Sequence, residues 1–297
     1  MGTTETKKTT GTPGTTGTTG TTGTTGTIDV GGRRVPVVDS GGPARAPVLV
    51  ALHGTFGRGA EFTRLAADLA GRVRLVAPDQ RGHGHSEPVA DGYGRDAFVA
   101  DAAALVRALG VGPVVLYGHS LGGITAYQLA ARHPELVKAL VVEDVGHLMR
   151  RPEVPHPALD VAGWPRRAAS RAELGAAIER RGVPDAGYFL RSAEPDPEGD
   201  GWRLLFDWDV MTEVQAGGVG DWTADWRGSD CPALLLHGTA SSLLPSALAD
   251  AMVAARPDTT RVDFPGAGHW VHDDAPAELA AAVTSFLREN EILTETH

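Results

Sequence analysis

The chain has 297 residues, of which 42% are hydrophobic, so it can bury a large core as one domain with an insertion or as two domains. A net charge of −10 with no dense cluster of lysine and arginine argues against nucleic acid or an anionic membrane as the main partner. The predicted partner is therefore a small-molecule substrate, while the oligomeric state is left open. A single cysteine, Cys231, excludes an intrachain disulfide.

The first residues are rich in glycine and threonine. Glycine recurs at every third position from Gly11 to Gly26, which imitates collagen, but the stretch is too short and too poor in proline to hold a triple helix. We predict a disordered tail over residues 1–27. No basic stretch leads into an apolar signal segment, and no apolar run approaches the length of a transmembrane helix. The sequence therefore predicts a cytoplasmic protein.

After the tail, short apolar runs alternate with helical patterns. The runs that predict strands are residues 47–52, 74–77, 114–117, 138–142, 233–236 and 261–264. The patterns that predict helices are residues 60–70, 95–109, 122–132, 246–255 and 276–288. This alternation is typical of an α/β fold, in which a mostly parallel central sheet is flanked by helices on both faces.

The alternation stops after the fourth predicted strand. The next segment is rich in proline and arginine and contains one well-marked helix, which begins with a capping box of Ser170 and Glu173. An insertion of this kind between two core strands is typical of a lid. We therefore predict a core formed by residues 28–145 and 231–297, with residues 146–230 as an inserted helical lid.

A serine lies where the third predicted strand gives way to a helix, in Gly118-His119-Ser120-Leu121-Gly122. Such a turn holds the serine in a strained backbone geometry at the tip of a sheet. A glycine two residues to each side removes the Cβ atoms that would collide there. The context predicts Ser120 as a nucleophile.

A serine nucleophile needs a base within hydrogen-bond reach, and the base needs a third group to orient it. His269 follows the last predicted strand, in the glycine-rich loop Gly266-Ala267-Gly268-His269-Trp270. Flexible glycines let an imidazole project over the edge of the sheet, and the required chain order of serine, acid and histidine places the base late in the chain. His269 is therefore the predicted base.

Four motifs in this order resemble the α/β-hydrolase superfamily, over roughly residues 30–290. They are Leu52-His53-Gly54-Thr55, the run Asp79-Gln80-Arg81-Gly82-His83-Gly84-His85-Ser86, the serine turn and the late Gly-Ala-Gly-His. Within the superfamily the chain is similar to the lidded esterases, haloperoxidases and carbon–carbon hydrolases. This resemblance implies an acyl-enzyme or a related serine-assisted step without a cofactor.

The resemblance also implies the groups that surround the nucleophile. It implies an oxyanion hole formed by the backbone N–H groups of Leu121 and Thr55, with Phe56 as the next candidate. The ring of Phe56 is predicted to line the substrate pocket, together with His119 and Trp270.

Two histidines close to Asp79, His83 and His85, could be taken for metal ligands. In similar proteins the corresponding loop packs against the sheet, and these residues have no partner cluster with the usual metal spacing. No metal site is predicted. His53 likewise has a structural interpretation, because it orients the loop that follows it.

The acid is where the chain departs from the usual pattern of the superfamily. Most relatives place it in the loop after the penultimate strand, but this loop has no acidic residue and carries Ser241 at the expected position. One strand earlier, Glu143 and Asp144 lie at the C-terminal end of a core strand, where open α/β sheets place their ligand-facing groups. Adjacent side chains of a strand point to opposite faces, so only one can easily reach His269. Some similar lidded hydrolases carry the acid at this strand, which favours Asp144. Glu143, or a dyad without an acid, stays open.

The leading hypothesis is a cofactor-free serine hydrolase that cleaves a small-molecule ester or lactone. Ser120 attacks, His269 transfers the proton, Asp144 orients the imidazole and water resolves the acyl-enzyme. A second hypothesis uses the same triad for carbon–carbon bond hydrolysis, elimination or cyclisation. A third is a non-catalytic small-molecule receptor on the same fold.

Overall fold

The computed structural model describes residues 24–90 and 92–293, which form thirteen strands and ten α-helices. The strands are β1 (Thr24–Val30), β2 (Arg33–Asp39), β3 (Val48–Leu52), β4 (Arg74–Pro78), β5 (Val114–His119), β6 (Val137–Glu143), β7 (Leu148–Met149), β8 (Arg167–Ala168), β9 (Ala193–Pro195), β10 (Trp202–Leu204), β11 (Gly220–Asp221), β12 (Ala233–Gly238) and β13 (Thr259–Phe264). The helices are α1 (Thr63–Asp68), α2 (Arg95–Leu109), α3 (Leu121–Arg132), α4 (Arg171–Glu179), α5 (Gly187–Leu190), α6 (Trp208–Gly218), α7 (Thr223–Arg227), α8 (Ser246–Ala255), α9 (Val271–Asp274) and α10 (Pro276–Glu289).

Eight of these strands form one central sheet in the order β1-β2-β4-β3-β5-β6-β12-β13. The β1–β2 and β2–β4 pairs are antiparallel, and all other neighbouring pairs are parallel. Every residue of β3, β5 and β12 is buried, as expected for strands covered on both faces. The mostly parallel sheet predicted from the sequence is confirmed.

Helices cover both faces of the sheet and divide its apolar residues into two cores. Helices α2, α3, α7 and α8 contribute to the core on one face. Helices α1, α9 and α10 contribute to the core on the other face. Each of the six predicted strands is present with its ends shifted by at most two residues, and the predicted helix at 60–70 is a 3-10 turn (Gly59–Phe62) followed by α1.

The antiparallel edge of the sheet corrects the predicted tail. Residues 24–27 were expected to belong to the tail, but they form the first part of β1, where Thr24 pairs with Asp39 and Gly26 with Val37. The core therefore includes residues 24–27. These four residues are exposed and lack an apolar side chain, so it is backbone pairing with β2 that keeps them in the strand. The local composition does not reveal this pairing. The remainder of the predicted tail, residues 1–23, lies outside the described residues.

Removing β1 should destabilise the fold. Val30 is buried and Ile28 packs against the core that α2 covers, so deleting residues 1–30 should lower the free energy of unfolding by roughly 3 kcal/mol, the value for one or two buried aliphatic side chains. Deleting only residues 1–23, the part of the predicted tail that lies outside the described residues, should leave it nearly unchanged. Urea unfolding of the two truncated proteins measures the difference, and equal midpoints would show that β1 contributes no stability.

The segment between β6 and β12, residues 146–230, is called here the inserted segment. It forms a three-stranded sheet of β8, β10 and β9, a β7–β11 pair and helices α4 to α7. Helix α4 begins as predicted, because the Ser170 hydroxyl accepts the N–H of Glu173 at 3.2 Å. A third apolar core joins this segment to α2, α3 and the loop after β3; its members include Phe56, Phe98, Leu121, Leu174, Phe189, Trp208 and Met211. Among residues 24–90 and 92–293, no helix combines the length and apolar character needed to cross a bilayer.

Candidate active site

Ser120 lies in a sharp turn between β5 and α3. Its φ of 53° and ψ of −122° lie in a region of backbone conformation that residues other than glycine rarely adopt. This matches the strained turn expected from the sequence. A Cβ atom on Gly118 would collide with the carbonyl oxygen of Gly122, and one on Gly122 would collide with the carbonyl oxygen of Leu52. Both glycines are therefore required for the helix to approach the sheet at this point.

His269 and Asp144 are in direct contact. The Nδ1–H of His269 donates to Oδ2 of Asp144 at 2.8 Å, and the side chains are 13% and 0% exposed respectively. The N–H of Gly238 donates to the other carboxylate oxygen at 3.1 Å. Asp144 has a φ of 51°, which turns the chain at the end of β6. The buried carboxylate of Asp144 is thus fixed against Nδ1 of His269 and does not contact Nε2.

Ser241 also contacts Asp144. Its hydroxyl donates to Oδ2, the oxygen that His269 contacts, and it accepts the N–H groups of Leu243 at 3.1 Å and Leu244 at 3.3 Å. The loop after β12 therefore places its side chain at the same carboxylate, although that loop carries no acid. Between the two acidic residues that the sequence left open, Asp144 is the one that contacts His269.

Glu143 has a different histidine partner. Its Oε1 accepts both the backbone N–H and the Nδ1–H of His272 at 2.8 Å, and its Oε2 accepts the hydroxyl of Tyr117. Burial would raise the pKa of Glu143, but the charge and hydrogen bond of His272, together with the smaller effects of His119 and Tyr117, hold this pKa below its usual value. Burial would lower the pKa of His272, but the charge of Glu143 and its hydrogen bond raise it above its usual value. The two side chains form a buried ion pair.

Within the described residues, one set of three potential metal ligands, His119, Glu143 and His272, brings its ligand atoms within 4.8 Å of one another. An imidazole that donates Nδ1–H to a carboxylate and carries a second proton offers no lone pair to an ion. The raised pKa of His272 favours that doubly protonated form. The chemistry of this set fits an ion pair better than a metal centre.

The Glu143–His272 pair gives stability a predictable dependence on pH. Because the pKa of His272 is raised in the folded protein from 6.5 to about 9, its contribution to the free energy of unfolding is fully present below pH 6.5 and is lost as the pH rises through about 9. Replacing His272 by asparagine keeps a side-chain donor and removes the charge. We expect the wild-type protein to exceed His272→Asn in urea midpoint at pH 6.5, and the gap to narrow by pH 10. A gap that stays constant from pH 6.5 to 10 would contradict the ion pair.

A cavity of about 640 Å³ opens above Ser120 and His269, both of which line it. Four further residues predicted for the site also line it: Thr55, Phe56, Leu121 and Trp270. Its buried lining is mainly apolar and includes Phe56, Leu121, Ile124, Val145, Met149 and Phe189. Its charged residues are Asp185, Arg191, Asp273 and Asp274. The inserted segment therefore supplies part of the wall of this cavity.

His119 does not line the cavity, which corrects the sequence prediction. It is wholly buried beneath the loop of His269, where its Nε2–H donates to the carbonyl oxygen of His269 at 3.0 Å. Its ring packs on His269 and His272, with centroids 4.7 and 4.9 Å away. The physical reason is the alternation of side chains at the end of β5, which sends His119 to the side opposite Ser120.

The two residues predicted to form the oxyanion hole, Leu121 and Thr55, line the cavity together with Ser120. Leu121 is the first residue of α3, and an N–H at this position has no acceptor within its own helix. Thr55 lies in the tight turn from Gly54 to Gly57, in which Phe56 has a φ of 70°. The hydroxyl of Ser192, from the inserted segment, donates to the carbonyl oxygen of Phe56 at 2.8 Å. This bond holds the turn against the inserted segment.

The sequence was also compared with known families, and the model of one family, described as the alpha/beta hydrolase fold, matches residues 47–276. The chain belongs to the alpha/beta hydrolase fold family. It is 29% identical to 2-(acetamidomethylene)succinate hydrolase of Mesorhizobium japonicum, over 88% of this chain and 94% of that protein. It is 30% identical to the sn-1-specific diacylglycerol lipase of Mus musculus, over 83% of this chain and 82% of that protein.

A solved structure agrees with this alpha/beta hydrolase assignment. The crystal structure of E-2-(acetamidomethylene)succinate hydrolase superimposes with a TM-score of 0.77 at 28% identity, over 90% of this chain and 99% of that chain. The fold and the hydrolase character of these relatives thus agree with the resemblance drawn from the four motifs.

The Asp79 loop of this alpha/beta hydrolase has a structural role. Asp79 accepts the N–H groups of Gly59 at 2.8 Å and His85 at 2.9 Å, while Nδ1 of His83 contacts the carbonyl oxygen of Arg81 at 2.9 Å. Burial lowers the pKa of His83 to about 3, so it is neutral. The carboxylate is thus occupied by backbone N–H groups of its own loop and of the 3-10 turn after β3.

Two residues of the site, Ser192 and His272, carried no recognisable signal in the sequence, because they lie outside every motif. Ser241 was recognised as the residue at the expected acid position, but its contact with Asp144 across 97 positions of the chain was not predicted. The one available signal was the adjacency of Glu143 and Asp144, since two carboxylates at the end of one strand imply two partners.

Proposed function

We propose that the protein is a cofactor-free serine hydrolase that cleaves an ester or lactone through an acyl-enzyme, with Ser120, His269 and Asp144 as its triad. One observation carries the proposal: the imidazole of His269 donates to the buried Asp144 carboxylate at 2.8 Å and shares a cavity with Ser120. In a triad, the acid contacts one nitrogen of the imidazole and the nucleophile faces the other nitrogen.

The first half-reaction begins at the serine hydroxyl. Because Nδ1 of His269 keeps its proton for Asp144, the lone pair of Nε2 can accept the proton of Ser120 as Oγ attacks the acyl carbon. The oxyanion that forms accepts hydrogen bonds from the N–H groups of Leu121 and Thr55. His269 then returns the proton to the departing alkoxide, which leaves an ester on Ser120.

Water completes the reaction. His269 takes a proton from a water molecule as the water oxygen attacks the acyl carbon, and the second oxyanion collapses while His269 returns this proton to Oγ, which releases the acid and regenerates Ser120. Throughout both steps Asp144 stays ionised, orients the imidazole and stabilises the imidazolium. The hydrogen bonds from Gly238 and Ser241 hold this carboxylate in place.

The shape and lining of the cavity support a small acyl group. A volume of about 640 Å³ is in the usual range for small-molecule sites, and its buried wall is mainly apolar. One relative is a diacylglycerol lipase, an enzyme for an uncharged ester. A small molecule as the sole partner and a location in the cytoplasm stay predictions from the sequence.

Labelling with a fluorophosphonate, followed by a panel of aryl esters, lactones and β-diketones, tests the proposal. We expect stoichiometric labelling and turnover of the esters or lactones. Turnover of the β-diketones alone would indicate carbon–carbon hydrolysis. Labelling without turnover of any member of the panel would favour the receptor hypothesis.

We propose further that the inserted segment acts as a lid. Arg191 forms two hydrogen bonds with Asp273, at 2.9 and 2.6 Å, and Ser192 bonds to Phe56, so this part of the segment is tied to both sides of the cavity. A covalent phosphonate on Ser120 should slow amide hydrogen exchange in residues 182–192, because the adduct fills the space beneath them. Strand β12 is the internal control and should not change. Equal exchange in residues 182–192 with and without the adduct would contradict a lid.

A further inference from the structure

Two neighbouring carboxylates at the end of β6 each hold a histidine of the loop of His269, which is taken here as residues 265–274 and includes the short helix α9. Asp144 contacts His269, and Glu143 contacts His272 three positions later. The sequence treats these acids as alternatives for one role. In the structure they act on two points of the same loop.

The contact of Glu143 with this loop is both tight and buried. One oxygen accepts two hydrogen bonds from His272, one of them from the backbone, and neither Glu143 nor His272 is more than 5% exposed at its side chain. A bond to the backbone fixes the path of the chain itself. Tyr117 occupies the other oxygen of Glu143 from β5.

His119 completes the support of the loop from below. It donates to the carbonyl oxygen of His269, and its ring lies between the rings of His269 and His272. The main chain of the loop is therefore held at residue 269 by His119 and at residue 272 by Glu143. The main chain that carries the His269 imidazole is thus held by His119 and Glu143, and the imidazole itself is held by Asp144.

We propose that Glu143 and His272 form a positioning pair, which holds the loop so that the imidazole of His269 faces both Asp144 and Ser120. The proposal rests on the proposed role of His269 as the general base. Neither member of the pair touches the cavity, so they act through His269 and not on the substrate.

The charges around His272 agree with this arrangement. It faces Glu143 from β6, His119 from β5, Glu61 from the 3-10 turn after β3 and Asp273 from its own helix. Burial raises the pKa of Glu61 to about 8, so this group is mostly protonated at neutral pH. Burial lowers the pKa of His119, which is neutral. Glu143 is thus the buried anion that balances the imidazolium.

The first test compares Glu143→Gln with Tyr117→Phe. Both variants remove one polar feature at the same buried carboxylate, but only the first weakens the bonds to the loop. With an aryl ester, Glu143→Gln should lower the single-turnover acylation rate by about 10–100-fold, as expected for a misplaced base, with KM within about threefold of wild type. Tyr117→Phe should stay within about threefold in both constants.

Proton NMR supplies a readout that a loss of stability alone would not move. We expect the proton between His269 and Asp144 to give a far-downfield resonance. We expect this resonance to shift or broaden in Glu143→Gln and to keep its position in Tyr117→Phe. An unchanged resonance and acylation rate in Glu143→Gln would overturn the positioning pair.

A second pair of variants decides the matter if Glu143→Gln does not fold. His272→Ala removes the side-chain donor, whereas His272→Asn retains an N–H group near the position of Nδ1. Acylation should fall in His272→Ala and recover at least tenfold in His272→Asn; equal rates would overturn the proposal.

If wild-type protein is not labelled by a fluorophosphonate at Ser120, the proposed function itself fails. Labelling of Ser120 together with insensitivity to these changes removes the positioning pair alone.

Discussion

Replacing Ser120 by alanine should abolish covalent labelling by a fluorophosphonate and lower ester turnover by on the order of 10⁶, the loss seen when a triad nucleophile is removed. Without Oγ no acyl-enzyme can form, and only the oxyanion hole and substrate binding remain. Alanine retains a Cβ atom, so the strained turn is no more difficult to form than it is for serine. The variant should therefore unfold within a few degrees of wild type.

Ser242 provides the matched control for this substitution. It also lines the cavity, on the loop after β12, so Ser242→Ala removes a hydroxyl from the same space. Labelling of Ser242→Ala should proceed at the wild-type rate. Normal labelling of Ser120→Ala would show that another residue reacts and would remove the serine-hydrolase proposal.

Asp144→Asn should lower the acylation rate by on the order of 10⁴, because the imidazole loses the charge that orients it and stabilises its protonated form. The amide has nearly the same shape as the carboxylate, and Asp144 is wholly buried, so the change acts on charge and on the tautomer of His269. Stopped-flow measurement with an aryl ester at saturating concentration gives the acylation rate directly. An acylation rate within tenfold of wild type would mean that His269 works without this acid.

Ser241 offers both a control and a relocation of the acid. Ser241→Ala removes one donor to Asp144 and leaves the bonds from Gly238 and His269, so it should cost less than about tenfold. Because the side chains of residues 144 and 241 meet at the same carboxylate oxygen, combining Ser241→Asp with Asp144→Asn should restore a large part of the lost rate. A double variant as slow as Asp144→Asn would show that residue 241 cannot reach the imidazole productively.

The sequence predicted those features of the candidate site that local chemistry determines. The turn at Ser120 is recognisable because a strained strand-to-helix connection requires glycine at fixed offsets, at Gly118 and Gly122. The contact of Asp144 with His269 was predicted from a missing acid and from the place of two carboxylates at the end of β6, and the resemblance to lidded hydrolases favoured Asp144 over Glu143. Parallel strands were predicted well because full burial makes them continuous apolar runs.

Features that depend on contacts between distant segments were not predicted. Residues 24–27 look like tail because their order comes from pairing with β2. His119 was assigned to the pocket because it is adjacent to Ser120, whereas strand geometry turns it beneath the loop of His269. The contacts of Glu143 with His272 depend on how that loop folds back to β6, which no local pattern encodes.

Trapping the acyl-enzyme tests the central claim most directly. Trypsin cleavage after Arg107 and Arg132 gives a peptide of residues 108–132 in which Ser120 is the single serine. Wild-type protein quenched in acid during turnover of an aryl ester should carry the acyl mass on this peptide, with fragment ions that place it on Ser120. An acyl group on another residue, or rapid ester turnover with no acylated peptide, would contradict a mechanism through Ser120.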